Sequence, residues 1–349
     1  MSNRLRVALA AYGMSGRLFH APFIQANPDF ELTTILERSR TDSKEQFPTA
    51  RIVRDYDDIL QDASIDIVVV NTPNSMHYTM TEAALLAGKH VIVEKPFTPT
   101  VAEGEALVTL AQQQGLMLSV YHNRRFASGY RTARQLLAES GVGELRSFTM
   151  TLERYRPQPG PKKWKEEHNP AAGLFYDMGI HLLDESLLLF GLPQSLTADL
   201  RIQRQASQVN DYFDVRLDYP GFHVNLKGSL LAREPAPAYV IHGEKGTYIK
   251  QQQDVQEPRL LAGVTPTAPG WAEESESEWG LLHNDEGRQK YPTVTGDYQD
   301  FYRNVHAHLC VNEQLLTPPQ QALLALRMLE LALLSSQQQR TLPVHFSER

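Results

Sequence analysis

The chain has 349 residues, 42% hydrophobic and 21% charged, with a formal net charge of -7, enough for two domains with cores of their own. No long basic run is present, which argues against nucleic acid or an anionic membrane as partner, and charges such as Arg327 and Glu330 interrupt the longer apolar stretches before they could span a bilayer. The single cysteine, Cys310, excludes an internal disulfide and fits a reducing, cytoplasmic setting.

Leu5–Ala11 predicts a first strand, followed by the turn Ala11-Tyr12-Gly13-Met14-Ser15-Gly16 and a helix that ends near Asn27-Pro28. The turn approximates G-x-G-x-x-G, with Ala11 in the first place and Gly13 and Gly16 in the second and third. Gly13 would let the backbone approach a pyrophosphate, and Gly16 would let the helix pack close to the strand. The phosphate would then lie on helix N–H groups. A tight strand-to-helix turn with no ligand is the alternative.

A second strand, Leu32–Leu36, ends in Glu37-Arg38-Ser39-Arg40. An acid at this place favours a free ribose 2′-hydroxyl, whereas an arginine accommodates a 2′-phosphate. Arg38 can stack on adenine, and Ser39 and Arg40 can bind phosphate, so NADP is favoured over NAD. The alternative is a solvated charged turn. The strand Asp66–Asn71 leads to Asn71-Thr72-Pro73-Asn74, read as a wall of a nicotinamide pocket or, at Asn74, as the cap of the next helix. That helix, which also carries the candidate contact His77 just ahead of it, is expected over Thr79–Ala87 with Gly88 closing it.

The β-branched run Val91-Ile92-Val93 predicts a buried parallel strand that runs into Glu94-Lys95-Pro96. Ligands of open α/β sheets bind beyond the carboxyl ends of strands, and Pro96 restrains Lys95 to extended backbone, so Lys95 is a candidate for chemistry. A solvated Glu-Lys pair at a strand end is the bland reading. A helix over Val101–Gln114 closed by Gly115, then a strand over Leu116–Tyr121, complete an alternation that implies βαβ units.

His122-Asn123-Arg124-Arg125 follows, then a helical stretch to about Ser140. Beyond Glu144 the alternation stops. Arg146–Glu153, Ser195–Gln205, Tyr212–Tyr219, His223–Leu231, Tyr239–His242 and Thr247–Gln251 read as strands of a largely antiparallel sheet. Glu257–Gly280 reads as a loop whose acidic run, Glu273, Glu274, Glu276 and Glu278, is expected to be solvated rather than metal-binding. Helices return at Gly296–Cys310 and Pro319–Ser335. The helix from Gly173 through Leu189 carries Asp177 and His181, four residues apart and so on one face. A carboxylate beside an imidazole orients the ring for proton exchange near neutral pH, although such a pair is also common on ordinary helices. No third ligand lies at a recognised metal spacing, and no nucleophile elbow is present.

The glycine turn, Asn71-Thr72-Pro73-Asn74, Glu94-Lys95-Pro96, Asn123-Arg124-Arg125 and Gly173-x-x-x-Asp177-x-x-x-His181 occur in the same order as in the Gfo/Idh/MocA oxidoreductases, which the chain resembles over essentially its whole length. Arg154-Tyr155-Arg156-Pro157 and His242-Gly243-x-x-Gly246-Thr247-Tyr248 look most like the branch of NADP-dependent scyllo-inositol dehydrogenases. The resemblance implies an N-terminal Rossmann domain, a doubly wound parallel sheet over residues 1–121. It also implies a C-terminal α+β domain with an open, mainly antiparallel sheet over 122–349, through which such proteins associate as dimers or tetramers. It makes Lys95, Asp177 and His181 the catalytic set and Lys95-Pro96 a cis bond. Cofactor contacts would extend from the turn and Glu37–Arg40 to Glu94, Asn123 and Arg124. Asn123, Arg156 and Trp164 join the catalytic set as substrate contacts. The activity implied is hydride transfer between nicotinamide and a polyol or sugar-like alcohol; the alternative is a nucleotide-binding sensor of the same fold without efficient turnover. Ala11 for the first glycine is the one departure from the motif.

Overall fold

The structure is a computed structural model that describes residues 4–160 and 163–346, with the side chains of 163–164 left aside. It divides into two compact units that interleave along the chain. The first holds the described residues up to Asn123 together with Glu257–Trp271 and Tyr298–Leu323; the second holds Arg124–Gln256, Ala272–Asp297 and the chain from Leu324 onward.

The first unit is built on six strands, β1 (Leu5–Leu9), β2 (Phe30–Leu36), β3 (Arg51–Val53), β4 (Ile67–Val70), β5 (His90–Glu94) and β6 (Leu118–Tyr121), in the order β3-β2-β1-β4-β5-β6. Every pairing is parallel. This is the doubly wound dinucleotide-binding order, whose switch point lies between β1 and β4. Central strands covered on both faces read as unbroken apolar runs, and all four residues of β4 are buried. The helix Val101–Gln114 starts with a capping box between Thr100 and Glu103 and stops at Gly115, whose φ of 64° is left-handed. Asn74 begins a 3₁₀ turn, and the helix His77–Leu86 starts from Met76 with no side-chain cap. The three residues of the short strand β3 carry too little periodicity to be legible as a strand in the sequence.

The second unit is organised on a nine-stranded sheet. Its strands are β7 (Leu145–Glu153), β8 (Ser195–Arg201), β9 (Tyr212–Tyr219), β10 (Phe222–Ser229), β11 (Tyr239–Gly243), β12 (Gly246–Lys250), β13 (Gly280–Asn284), β14 (Gly287–Tyr291) and β15 (Leu342–Pro343). The order is β14-β13-β12-β11-β7-β10-β9-β8-β15, with β7 and β10 the one parallel pair among antiparallel neighbours. Alternation puts Phe213, Val215, Leu217 and Tyr219 of β9 into the core, where Ile180, Leu182, Leu183, Met328 and Leu329 pack. The opposite face carries ion pairs such as Lys227–Asp214 at 3.2 Å. Strand β14 is mostly polar and sits at the edge of the sheet, and β13 beside it, Gly-Leu-Leu-His-Asn, has two adjacent leucines in place of apolar alternation, so neither is legible as a strand in the sequence.

The acidic run expected to be solvated corrects in one respect. Glu274 is fully buried and forms an ion pair with Lys250 of β12, itself fully buried, while Ser128 donates to its other oxygen. A lysine shut away from water needs a compensating carboxylate, and this requirement draws Glu274 inward. The same stretch is not loop throughout, since Gln256–Leu261 is a short helix.

Candidate active site

In the first unit the turn after β1 is held by Asn71 at the end of β4. Its side-chain Oδ1 accepts from Ala11 N at 2.9 Å and its Nδ2 donates to Ala11 O at 2.8 Å. The two glycines of the turn do different work. A Cβ on Gly16 would lie 2.5 Å from Ala11 O and 2.7 Å from Asn71 Nδ2, so only glycine fits under this clamp. A Cβ on Gly13 would meet nothing within 4 Å, leaving its backbone open to a ligand. The helical segment from Gly16 begins with a π turn, Gly16–His20, before Ala21–Ala26.

A cavity of about 360 Å³ lies at the carboxyl ends of β1, β2 and β4, lined among others by Ala11, Tyr12, Arg38, Ser39, Thr72 and Pro73. Glu37 is only 7% exposed. Its carboxylate accepts from Asp42 N and Ser43 N, both at 3.0 Å, and from the Ser43 hydroxyl. Arg54 donates from outside to the carbonyls of Glu37 and Arg40. Glu37 thus braces the loop from within while it also lines the cavity, and Arg38, Ser39 and Arg40 stand exposed at the rim. Thr72 Oγ1 is buried with no hydrogen-bond partner among the described residues. An orphaned hydroxyl, an open Gly13 backbone and a cavity rimmed by arginines suit a dinucleotide phosphate and ribose. Met14, at 41% exposure, and Ser15 complete the turn.

At the end of β5, Lys95 is half-buried and the Lys95-Pro96 bond is cis. Burial alone would push the Glu94 carboxyl up. The His20 hydrogen bond and the charges of His20, Lys95 and His77 outweigh it and hold the group below its ordinary range. His77 is buried with Nδ1 2.8 Å from Pro96 O and Nε2 3.1 Å from Thr72 O, so it ties the β4 and β5 loops together. Burial lowers its pKa in spite of these bonds. Asn123 begins the 3₁₀ turn directly after β6, half-exposed.

In the second unit Asp177 lies in a π turn, Phe175–Gly179, and His181 in the helix Ile180–Phe190 that continues it. Gly173, with φ 101°, opens this segment against Asn210, whose side chain a Cβ would meet at 2.7 Å. His181 is 4% exposed. Asp177 is half-exposed and accepts from Lys165 Nζ at 2.8 Å. Nothing in the sequence marks Lys165 among the charges of Lys162-Lys163-Trp164-Lys165-Glu166-Glu167. Arg204 was likewise unmarked. Buried against Asp211 at 2.9 Å and Glu166 at 2.7 Å, it also donates to the carbonyls of Arg156 and Gln158 and so pins the loop between β7 and Asp177. Arg156 itself is exposed, and the side chain of Trp164 lies outside the described residues. Arg124 is buried with its guanidinium on Gln253, and Arg125 pairs with Asp184 at 2.5 Å. Among the described residues no group of three potential metal ligands is found, and no helix is long and apolar enough to cross a membrane.

Residues 5–122 match the oxidoreductase family NAD-binding Rossmann fold, and residues 134–346 match the C-terminal alpha/beta domain of the same family. The chain is 38% identical to the uncharacterised Escherichia coli oxidoreductase YdgJ, covering 98% of this chain and 99% of that one. It is 34% identical to the Bacillus subtilis scyllo-inositol 2-dehydrogenase (NADP(+)) IolW, covering 97% and 95%. A Bacteroides fragilis crystal structure with 44% sequence identity superposes with a TM-score of 0.90 over 98% of this chain and all 100% of its own.

Proposed function

Because the chain belongs to the Gfo/Idh/MocA oxidoreductase family, we propose that it moves hydride between a nicotinamide dinucleotide and a secondary alcohol or ketone of a polyol or sugar-like substrate, of the kind scyllo-inositol represents. The observation that carries the reading is Lys95, at the carboxyl end of β5 in a sheet of dinucleotide-binding order, beside an ionised Glu94. NADP is favoured over NAD because Glu37 is engaged with Asp42 and Ser43, which leaves basic and hydroxyl groups at the cavity rim. The NADP-dependent relative IolW agrees with that preference.

The bound cofactor supplies the hydride acceptor or donor. Lys95 hydrogen-bonds the reacting oxygen of the substrate and stabilises negative charge that develops there. His181 accepts the hydroxyl proton in oxidation and returns it in reduction. Asp177, itself fixed by Lys165, orients the imidazole or the substrate. Asn123, Arg156 and Trp164 contribute polar contacts for the remaining hydroxyls. The first unit binds the dinucleotide; the second binds substrate and, through its sheet, a further copy of the chain in a dimer or tetramer. One cysteine fits work in the cytoplasm.

The test is reduction of NADP and NAD with a panel of inositols, aldoses and other polyols, followed at the absorbance of the reduced nicotinamide. Turnover with NADP and at least one polyol is expected. Tight NADP binding with no turnover across a broad panel would overturn the enzyme reading in favour of a sensor.

A further inference from the structure

We propose that His20 is a positioning residue for Lys95, acting through Glu94 along a buried hydrogen-bond chain that starts at Tyr302. The proposal rests on the reading of Lys95 as catalytic, and all four residues lie in the first unit.

His20 is fully buried at the end of the π turn that follows the glycine turn. Its Nδ1 lies 2.7 Å from the Tyr302 hydroxyl and its Nε2 lies 3.1 Å from Glu94 Oε1. An ionised carboxylate can only accept, so Nε2 carries the proton and donates to Glu94. Nδ1 faces the Tyr302 hydroxyl, so each ring nitrogen has a partner within hydrogen-bond distance. The second oxygen of Glu94 accepts from the backbone N–H of Lys95 at 3.2 Å. Both carboxylate oxygens are thus fixed, one by His20 and one by the amide of the residue that must be aimed.

Packing does not account for this chain. The surroundings of His20 are aromatic, with Tyr121 4.5 Å from its ring and Phe301 and Phe23 near by through Tyr121 and Tyr302. A buried imidazole–carboxylate pair contributes no more to stability there than apolar side chains of the same volume would. What the pair supplies is a fixed negative charge at the strand end, kept ionised against burial. The groups facing that charge are His20, Lys95 and His77, with the phenols of Tyr121 and Tyr302. Without His20 the carboxyl would protonate at a higher pH and release its hold on Lys95.

The test compares His20→Phe, which keeps a ring but neither hydrogen bond, with His20→Gln, which keeps a donor toward Glu94, and with Glu94→Gln and Lys95→Met. The readouts are cofactor affinity, kcat and KM across pH, and infrared difference titration of the buried carboxyl, identified by its absence in Glu94→Gln. In His20→Phe, kcat is expected to fall roughly 10-fold or more, with cofactor affinity kept. The acid limb of kcat should move up by about one pH unit, and the Glu94 band should titrate at higher pH with it. His20→Gln should recover most of kcat, and Tyr302→Phe should give a smaller change in the same direction, which serves if His20→Phe does not fold. An unmoved Glu94 band and acid limb in these variants would overturn the proposal. If Lys95→Met leaves kcat intact, the catalytic reading of Lys95 fails instead, and the infrared titration still decides whether His20 controls Glu94.

Discussion

Asn71 satisfies both backbone groups of Ala11, accepting from its N–H and donating to its carbonyl. The clamp joins the carboxyl ends of β1 and β4 at the switch point of the sheet, where Ala11 stands in place of the first glycine of the motif. Asn71→Ala leaves that pair of backbone groups without its partner. It should destabilise the protein by about 1–3 kcal/mol, seen as a lower midpoint in denaturant, and weaken NADP binding in a fluorescence titration. An unchanged midpoint would mean that the clamp is not needed to hold the turn.

The two glycines of the turn should separate stability from affinity. Gly16→Ala forces a Cβ against Ala11 O at 2.5 Å and is expected to lower the melting temperature markedly. Gly13→Ala has open space and should melt like the parent while binding NADP at least roughly 10-fold more weakly, because the methyl group lies where the pyrophosphate approaches. Equal effects of the two substitutions on melting temperature would contradict the assignment.

Glu37 offers a test of cofactor choice. If it faced a ribose, its removal would favour NADP. Engaged as it is with Asp42 and Ser43, Glu37→Ala should lower kcat/KM with NADP and with NAD together, by loosening the loop. Arg38→Ala combined with Arg40→Ala should instead cut kcat/KM with NADP by roughly 10- to 100-fold and leave NAD nearly unchanged. The ratio of the two cofactors in steady-state kinetics reads both outcomes.

Lys95→Met should leave cofactor binding nearly intact and lower turnover by at least ~10²-fold. His181→Ala should show a comparable loss with a changed pH profile. A near-normal kcat in either variant, on a substrate found by the panel, would remove that residue from the mechanism.

Glu185, on the same helix as His181, is fully buried, and burial raises its carboxyl from 4.5 to about 8 in spite of the Tyr239 hydrogen bond. A carboxyl raised on folding stabilises the protonated form. Its contribution is complete below the unfolded value and is lost as pH rises through about 8. Glu185→Gln should therefore flatten the decline of stability between about pH 5 and 8, and the gain over the parent should be larger at pH 8 than at pH 5. Denaturant melts across this range check the sign.

The sequence by itself determined the two sheet classes, the family and the positions at strand ends. Val91–Val93 and Ile67–Val70 are apolar on both faces and therefore central parallel strands, while β9 alternates and therefore has one buried face. Gly115 marks the end of a helix in the sequence because capping is local chemistry. Tertiary structure alone decided what the polar groups at those positions touch. That the Glu37 carboxylate is held by Asp42 and Ser43 is not legible in the sequence, and Glu274 looks solvated until Lys250 is found buried beside it. His20 and Tyr302 are separated by 282 positions in the chain and 2.7 Å in space. Periodicity records which side of an element is apolar, whereas a hydrogen bond between distant segments leaves no periodic trace, so partners of this kind become legible only once the chain has folded.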